Sequence, residues 1–311
     1  MKVCSLLPSA TEMLFAVGAG PDVVAVTFEC DFPPEARRLP QVVSSRMPPG
    51  LAPAQIDSLV RENGAEGRSL YFADMLKIDA LAPDLIVLQD LCRVCAIDSP
   101  TLERDLASIH SRPLLLSLGA SSLDGVISEI EQLGAAVGRR EAASQLASSL
   151  RARVRRISGQ GPAHQLPTRP RVLCLEWLDP LFQGGHWIPE MVALAGGDPV
   201  LATPREKSVR ITWQQVHAAA PDILFVMPCG YHLADTVIQF RSLVPTFPSL
   251  WMDLPAVRHG QVFAVDGSAF FSRPGPRLVD GLEILAAIIR GTSWDHLPAE
   301  SVASLAPLAS A

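Results

Sequence analysis

Pro83-Asp84-Leu85-Ile86-Val87-Leu88-Gln89-Asp90-Leu91-Cys92-Arg93-Val94-Cys95 has a counterpart in the second half of the chain, Pro221-Asp222-Ile223-Leu224-Phe225-Val226-Met227-Pro228-Cys229-Gly230. In each copy an Ala-Pro-Asp turn leads into a short apolar run and then a cysteine. The runs 85–88 and 223–227 have strand length, are rich in branched side chains and are bounded by turn signals, so they read as buried parallel strands. Ligands of open α/β sheets bind beyond the carboxyl ends of the strands, and Cys92, Cys95 and Cys229 follow such ends. Two copies of one plan imply two lobes, whose thiols can then face one cleft. Cys4 and Cys174 lie inside apolar strands and read as small core residues.

The chain has 311 residues, enough for two domains with a core each. Its 48% hydrophobic and 19% charged content predicts a globular fold and excludes a disordered one. A net charge of −6 gives no electrostatic footprint for nucleic acid. Met1-Lys2 is followed at once by Val3-Cys4-Ser5-Leu6-Leu7, which reads as the first core strand, so neither a secretory signal nor a lipoprotein signal before Cys4 is expected. No stretch reaches the roughly 18 uninterrupted apolar residues of a membrane span. These features predict a cytoplasmic protein whose six cysteines are thiols or metal ligands rather than disulfides.

Along the first half, strand 3–7 turns at Pro8-Ser9-Ala10-Thr11-Glu12 into a helix, with Ser9 as N-cap and Glu12 three positions on. A strand over 23–28 closes on Glu29-Cys30-Asp31-Phe32-Pro33-Pro34. Residues 40–72 read as an elaborate loop with one short helix near 54–62. A short helix over 74–81 feeds the first Pro-Asp strand. The longest helical pattern covers 123–157, with Val126, Ile130, Leu133, Val137, Leu146, Leu150 and Val154 at helical spacing. Arg151, Arg153, Arg155 and Arg156 crowd its end and read as a solvated terminus complementing the helix dipole. After a polar joint, the second half repeats strands and helices around the second Pro-Asp strand. The expected fold class is α/β, two α/β lobes with parallel sheets bridged by a single long helix. The expected domains are residues 1–121, a bridge over 122–158, and 159–311.

Leu7-Pro8-Ser9-Ala10-Thr11-Glu12, Cys30-Asp31-Phe32-Pro33-Pro34-Glu35-Ala36, the two Pro-Asp strands and the stretch from Phe182 to Gly197 carry a resemblance that runs over nearly the whole chain. The sequence resembles the helical-backbone substrate-binding proteins of vitamin B12 and iron-siderophore uptake, the cobalamin-binding branch above all. The resemblance implies two α/β lobes bridged by a rigid helix, a ligand held between them, and a binding protein rather than an enzyme. The sequence also departs from that family. Secreted members carry a signal sequence. Members dock on their transporter through one carboxylate per lobe, seven residues before the Pro of each Pro-Asp strand, where this chain has Leu76 and Gln214. Docking to a B12-type importer is therefore not expected. Of the aromatic residues that flank a corrinoid, Phe32 and Phe182 remain, while a tyrosine and a tryptophan are replaced by Glu29 and Ser208. The family's cleft also lacks the cysteine set found here.

Placed by strand ends, the candidate ligand-binding residues are Glu29, Asp31, Phe32, Phe182, Gly184, Gly185, His186 and Trp187. The candidate metal ligands are Cys30, Cys92, Cys95, His186 and Cys229. Thiolate and imidazole bind zinc, copper(I), iron or cobalt, and a Cys-x-x-Cys pair also occurs in redox motifs. Gly184-Gly185 lets backbone approach a ligand closely, and His186 reads either as an axial-type ligand or as a surface histidine. Asp31 also reads as a turn residue. Trp177, Trp187 and Trp213 can stack on a ligand or fill the core. Three readings follow. In the first, the protein holds cobalamin, a related corrinoid or another metal-containing small molecule between its lobes, outside transport. In the second, the cysteines and His186 hold a zinc or iron ion alone. In the third, a thiol enzyme processes a corrinoid, though no nucleophile–base pair in the sequence asserts one.

Overall fold

The computed structural model describes residues 1–66, 69–90, 109–159, 169–293 and 301–306. The chain divides into two compact α/β units. Unit 1 comprises Met1–Ala120 and Asp124–Leu150, and unit 2 comprises Ser121–Leu123 and Arg151–Ala311. The segment 122–158, expected as a bridge of its own, is thus shared between them.

Unit 1 runs β1 (Val3–Ser5), α1 (Pro8–Ala16), β2 (Val23–Thr27), β3 (Gln41–Ser45), α2 (Pro53–Ala65), β4 (Tyr71–Ala73), α3 (Met75–Leu81), β5 (Leu85–Gln89) and β6 (Leu114–Leu118), followed by the helices α4 (Leu123–Ala136) and α5 (Arg140–Gly159). Its sheet has the order β4-β3-β2-β1-β5-β6. Unit 2 adds β7 (Arg171–Leu178), β8 (Leu181–Gln183), α6 (Ile188–Ala195), β9 (Asp198–Pro199), α7 (Trp213–Ala219), β10 (Ile223–Val226), α8 (Leu233–Leu243), α9 (Pro255–Arg258), β11 (Val262–Val265), α10 (Gly267–Phe270), α11 (Leu278–Ile289) and β12 (Val302–Ser304). Its sheet has the order β12-β11-β10-β7-β8, with β9 beside β7.

The repeated Ala-Pro-Asp turn has one structural job in both units. The preceding helix, α3 or α7, ends in an alanine in the left-handed region, Ala82 at φ 45° or Ala220 at φ 41°. Proline follows and cannot continue the helix. The aspartate then clamps the start of the neighbouring strand: Asp84 accepts from the Lys2 amide (2.7 Å) and donates its own amide to Lys2 O (2.8 Å). Asp222 makes the same pair with Arg171, 2.8 Å each way. Strands β5 and β10, launched from these clamps, are buried throughout and pair in parallel with β1 and β7.

Four sequence expectations change. The sheets are mixed rather than purely parallel, because β4, β8 and β12 each join antiparallel at an edge. The supposed loop over 40–72 contains β3 and β4. Both are short strands near a sheet edge, and β3 is polar at its ends, so neither carries a strong apolar run. The single long helix is two helices. Gly138, at φ +70°, closes α4, with Arg139 N donating to Gly134 O at 2.7 Å. The apolar spacing hid this break because Val137 at the corner is itself buried. Nor is the arginine run simply solvated. Arg153 donates to Asp280 (2.5 Å) and to both oxygens of Glu283 (2.7 and 3.0 Å) on α11. Arg290 in turn donates to Ile157 O at 2.6 Å. Charge-assisted bonds of this kind fix the end of α5 against α11 within unit 2. Among the described residues no helix is long and apolar enough to cross a membrane.

Candidate functional site

At the carboxyl end of β7 the chain turns through Asp179-Pro180 into the antiparallel β8. Cross-strand partners project to the same face, and successive residues alternate. Leu178 faces Leu181, and both are buried in the unit 2 core. Trp177 faces Phe182 on the opposite side, and both are half-buried. Arg210 bridges Phe182 on its other flank, with its guanidinium 5.9 Å from the ring centroid. Tyr231, in the loop after β10, meets Trp177 edge to face at 5.7 Å. The result is a row, Tyr231, Trp177, Phe182, Arg210, three aromatic rings ending in a cation. Trp177 Nε1 donates to Asp179 O at 3.1 Å, which fixes the indole.

The next turn is built around Gly184-Gly185-His186. The segment 205–211 lies along it through His186 N to Glu206 O (2.6 Å), Arg205 N to His186 O (2.8 Å), Gln183 N to Val209 O (3.1 Å) and Ile211 N to Leu181 O (2.9 Å). The approach is so close that a Cβ on Gly185 would overlap Ser208 N. Glu176 sits at a register irregularity between Leu175 and Trp177, a place where a bulge re-aims side chains. Its carboxylate accepts from Gly185 N at 3.4 Å, and its carbonyl accepts from Cys229 N at 3.0 Å. Glu176 therefore ties the glycine turn to the loop after β10.

His186 is half-buried, at a left-handed φ of 55°. Its Nε2 is buried without a hydrogen-bond partner among the described residues. Burial, and then the nearby Lys207 charge, hold its pKa below the usual histidine value. The ring is thus neutral at neutral pH, the form that ligates metals. Below the unfolded-state pKa the unfolded chain binds the extra proton more readily, so stability falls as pH falls. The protein is expected to unfold at lower urea at about pH 5.5 than at about pH 7.5, with a smaller difference in His186→Gln. Equal pH slopes for the two proteins in denaturation curves would contradict this.

The remaining expected site residues fall in several places. Trp187 is buried at 4% exposure and donates Nε1 to Phe271 O at 2.8 Å, so it anchors the core and is not a ligand surface. Trp213 packs on Phe247 and Trp251 beside the same core. Cys229 is half-buried. Cys30, expected at the mouth of a strand, is buried instead, because its amide turns back onto Thr27 O. Its sulfur lies 3.1 Å from Thr11 Oγ1 and 3.5 Å from Thr27 Oγ1. Burial, with Cys30 nearby, pushes the Cys4 thiol up to about 12. Cys92 and Cys95 lie outside the described residues. Among the described residues no three His, Cys, Asp or Glu side chains converge as a metal site.

In unit 1, Glu29 is half-buried, with its amide on Thr27 Oγ1 at 3.1 Å. Asp31 presents its carbonyl to Arg37 Nε at 3.1 Å, as a turn residue does. Phe32 is 43% exposed. Phe28, also exposed, stacks on Tyr71 at 6.3 Å. Phe28, Glu176, Arg210 and Tyr231 were absent from the sequence-based set. Tyr231 had a signal, standing two residues after Cys229 in a strand-end loop. Arg210 had none, since a long-range bridge puts it beside Phe182.

A model of the periplasmic binding protein family matches residues 3–269. The chain belongs to the periplasmic binding protein family. Among its relatives, the vitamin B12-binding protein of Vibrio cholerae is 24% identical over 291 residues, covering 93% of this chain and 89% of the relative. An uncharacterized ABC transporter substrate-binding lipoprotein of Bacillus subtilis is 24% identical over 291 residues, covering 93% and 79%. Among solved structures, the periplasmic vitamin B12 binding protein of Vibrio cholerae aligns with a TM-score of 0.66 at 22% identity, covering 93% of this chain and 96% of that one. A periplasmic heme-binding protein from Roseiflexus aligns with a TM-score of 0.67 at 23% identity, covering 93% and 98%. These likenesses agree on the two-unit α/β fold described above.

Proposed function

We propose that this member of the periplasmic binding protein family binds a flat, metal-bearing macrocycle, a corrinoid or a haem-like chelate, as a binding protein rather than an enzyme. The observation that carries this reading is the aromatic row Tyr231, Trp177 and Phe182 at the carboxyl end of the unit 2 sheet. Half-buried rings on an outward face suit a planar apolar partner. The neutral imidazole of His186, with an unpartnered Nε2, is suited to a cobalt or iron centre. The relatives named for vitamin B12 and heme lend the same direction. A bare zinc or iron ion is not proposed, since metal-binding side chains do not converge among the described residues.

The use we propose lies outside import. Leu76 and Gln214 stand at equivalent second positions of α3 and α7; both are exposed, and neither carries a charge for a transporter arginine. Cys4, Cys30, Cys174 and Cys229 are thiols rather than disulfides, which suits a reducing, cytoplasmic setting. The decisive experiment is the visible spectrum and metal content of protein purified from cells supplied with cobalamin. A stoichiometric corrinoid or haem band supports the reading; colourless protein that takes up neither ligand refutes it. Tight capture by a reconstituted B12-type importer would overturn the non-transport part alone.

A further inference from the structure

Val200 and Ile211 are both buried in the unit 2 core, but the chain between them is not. Thr203, Pro204, Arg205, Glu206 and Lys207 are all exposed, so no side chain from 203 to 207 roots this stretch in the core. It is held instead by two backbone hydrogen bonds to one residue. His186 N donates to Glu206 O at 2.6 Å, and Arg205 N donates to His186 O at 2.8 Å. Both residues of this pair occupy the left-handed region without being glycine, His186 at φ 55° and Arg205 at φ 70°. Leu201, where the stretch leaves Val200, does the same at φ 63°. Side chains other than glycine enter that region at a cost, and an exposed backbone hydrogen bond is worth a similar amount. The two effects oppose each other in one short segment, and strain gathered in this way marks switch regions. The stretch also covers something. A Cβ on Gly185 would sit 2.3 Å from Ser208 N, so backbone lies directly on backbone there. Lys207 is near enough for its charge to act on the His186 imidazole, whose Nε2 is buried without a hydrogen-bond partner among the described residues.

We propose that residues 202–208 form a strap that lifts off the glycine turn while the rest of unit 2 stays folded, and that this lifting opens the His186 imidazole to solvent and ligand. One hinge is Leu201. The other is Ser208-Val209, beyond which Gln183 N to Val209 O (3.1 Å) and Ile211 N to Leu181 O (2.9 Å) keep the chain on β8. Lifting breaks the two His186 bonds, and water replaces both partners because the strap is already exposed. It lets Arg205 and His186 return to ordinary backbone angles. It also carries Lys207 away from the ring. Local opening of this kind belongs to segments with few buried apolar contacts and exposed backbone hydrogen bonds. The motion takes place in the free protein and holds whichever ligand follows.

The test changes the strain at Arg205 in both directions in the full chain without ligand. Arg205→Gly relieves it, Arg205→Val increases it because a β-branched residue fits a positive φ badly, and Arg205→Lys keeps both strain and charge. Two rates are measured, amide hydrogen exchange at residues 186 and 205, and carbethoxylation of His186 by diethyl pyrocarbonate, read by mass spectrometry. In wild type the His186 amide should exchange at least about tenfold faster than the buried amides of β10, because it opens without global unfolding. Arg205→Gly should slow both rates about twofold to fivefold. Arg205→Val should raise them about tenfold, and Arg205→Lys should stay within about twofold of wild type. Gly and Val remove the same charge, so the difference between them reports the strap alone. Should Arg205→Val fail to fold, Arg205→Gly still decides. Exchange at His186 as slow as in β10, or unchanged in Arg205→Gly, would overturn the strap. Altered exchange with unaltered carbethoxylation would overturn its control of the imidazole.

Discussion

Trp177→Ala is expected to bind haem or a corrinoid about thirty- to a hundredfold more weakly than wild type and to unfold at nearly the same temperature. The argument is one of position. Trp177 sits opposite Phe182 on the outward side of the β7–β8 hairpin, while the neighbouring Leu178–Leu181 pair faces the core. Within the fold its indole makes an edge contact with Tyr231 and a hydrogen bond to Asp179 O. Losing them costs about 1 kcal/mol of stability. A planar ligand covering the indole face would lose about 2–3 kcal/mol of buried apolar area and stacking. Trp177→Phe keeps a ring and should retain most of the affinity. Visible-absorption titrations alongside thermal melts separate the two effects. Wild-type affinity in Trp177→Ala would remove the row from the binding surface.

The second large effect is Gly185→Ala. A Cβ at this position would overlap Ser208 N and come within 2.7 Å of Lys207 C and 2.8 Å of Glu206 O, all backbone atoms. Backbone cannot rotate aside as a side chain can. At Gly184 the nearest obstacle is instead the Ile188 side chain, at 2.9 Å. To make room at Gly185, the segment must leave the turn and lose the His186 N to Glu206 O bond and its neighbours. The expected cost is about 3 kcal/mol, at the upper end for overpacking, read as a lowered urea midpoint. Ligand affinity should fall with it, because the displaced segment flanks Phe182 through the Arg210 bridge. A midpoint within error of wild type would show that the segment can shift freely.

Much of the fold was legible because the Ala-Pro-Asp turn is a complete local device. A helix ending in left-handed alanine, a proline stop and an aspartate clamp need few residues, so two copies announced two similar units. The break at Gly138 was not legible, since buried Val137 keeps the apolar spacing running through the corner. For the candidate site, the strand-end rule pointed to His186, Phe182 and the glycine pair, because position after a strand is a sequence property. It misread Cys30 and Trp187. The same rule does not say which way a side chain turns, and both turn inward. Arg210 and Glu176 depend on a bridge and a register irregularity that only the folded chain reveals. The expected grouping of Cys229 and His186 with Cys92 and Cys95 reaches outside the described residues.

The most direct measurement is a crystal structure of the protein grown with haemin or cobyrinic acid. The expected result is a macrocycle lying within about 4 Å of Trp177 and Phe182. A macrocycle seated elsewhere, leaving the row of Tyr231, Trp177 and Phe182 bare, would contradict it.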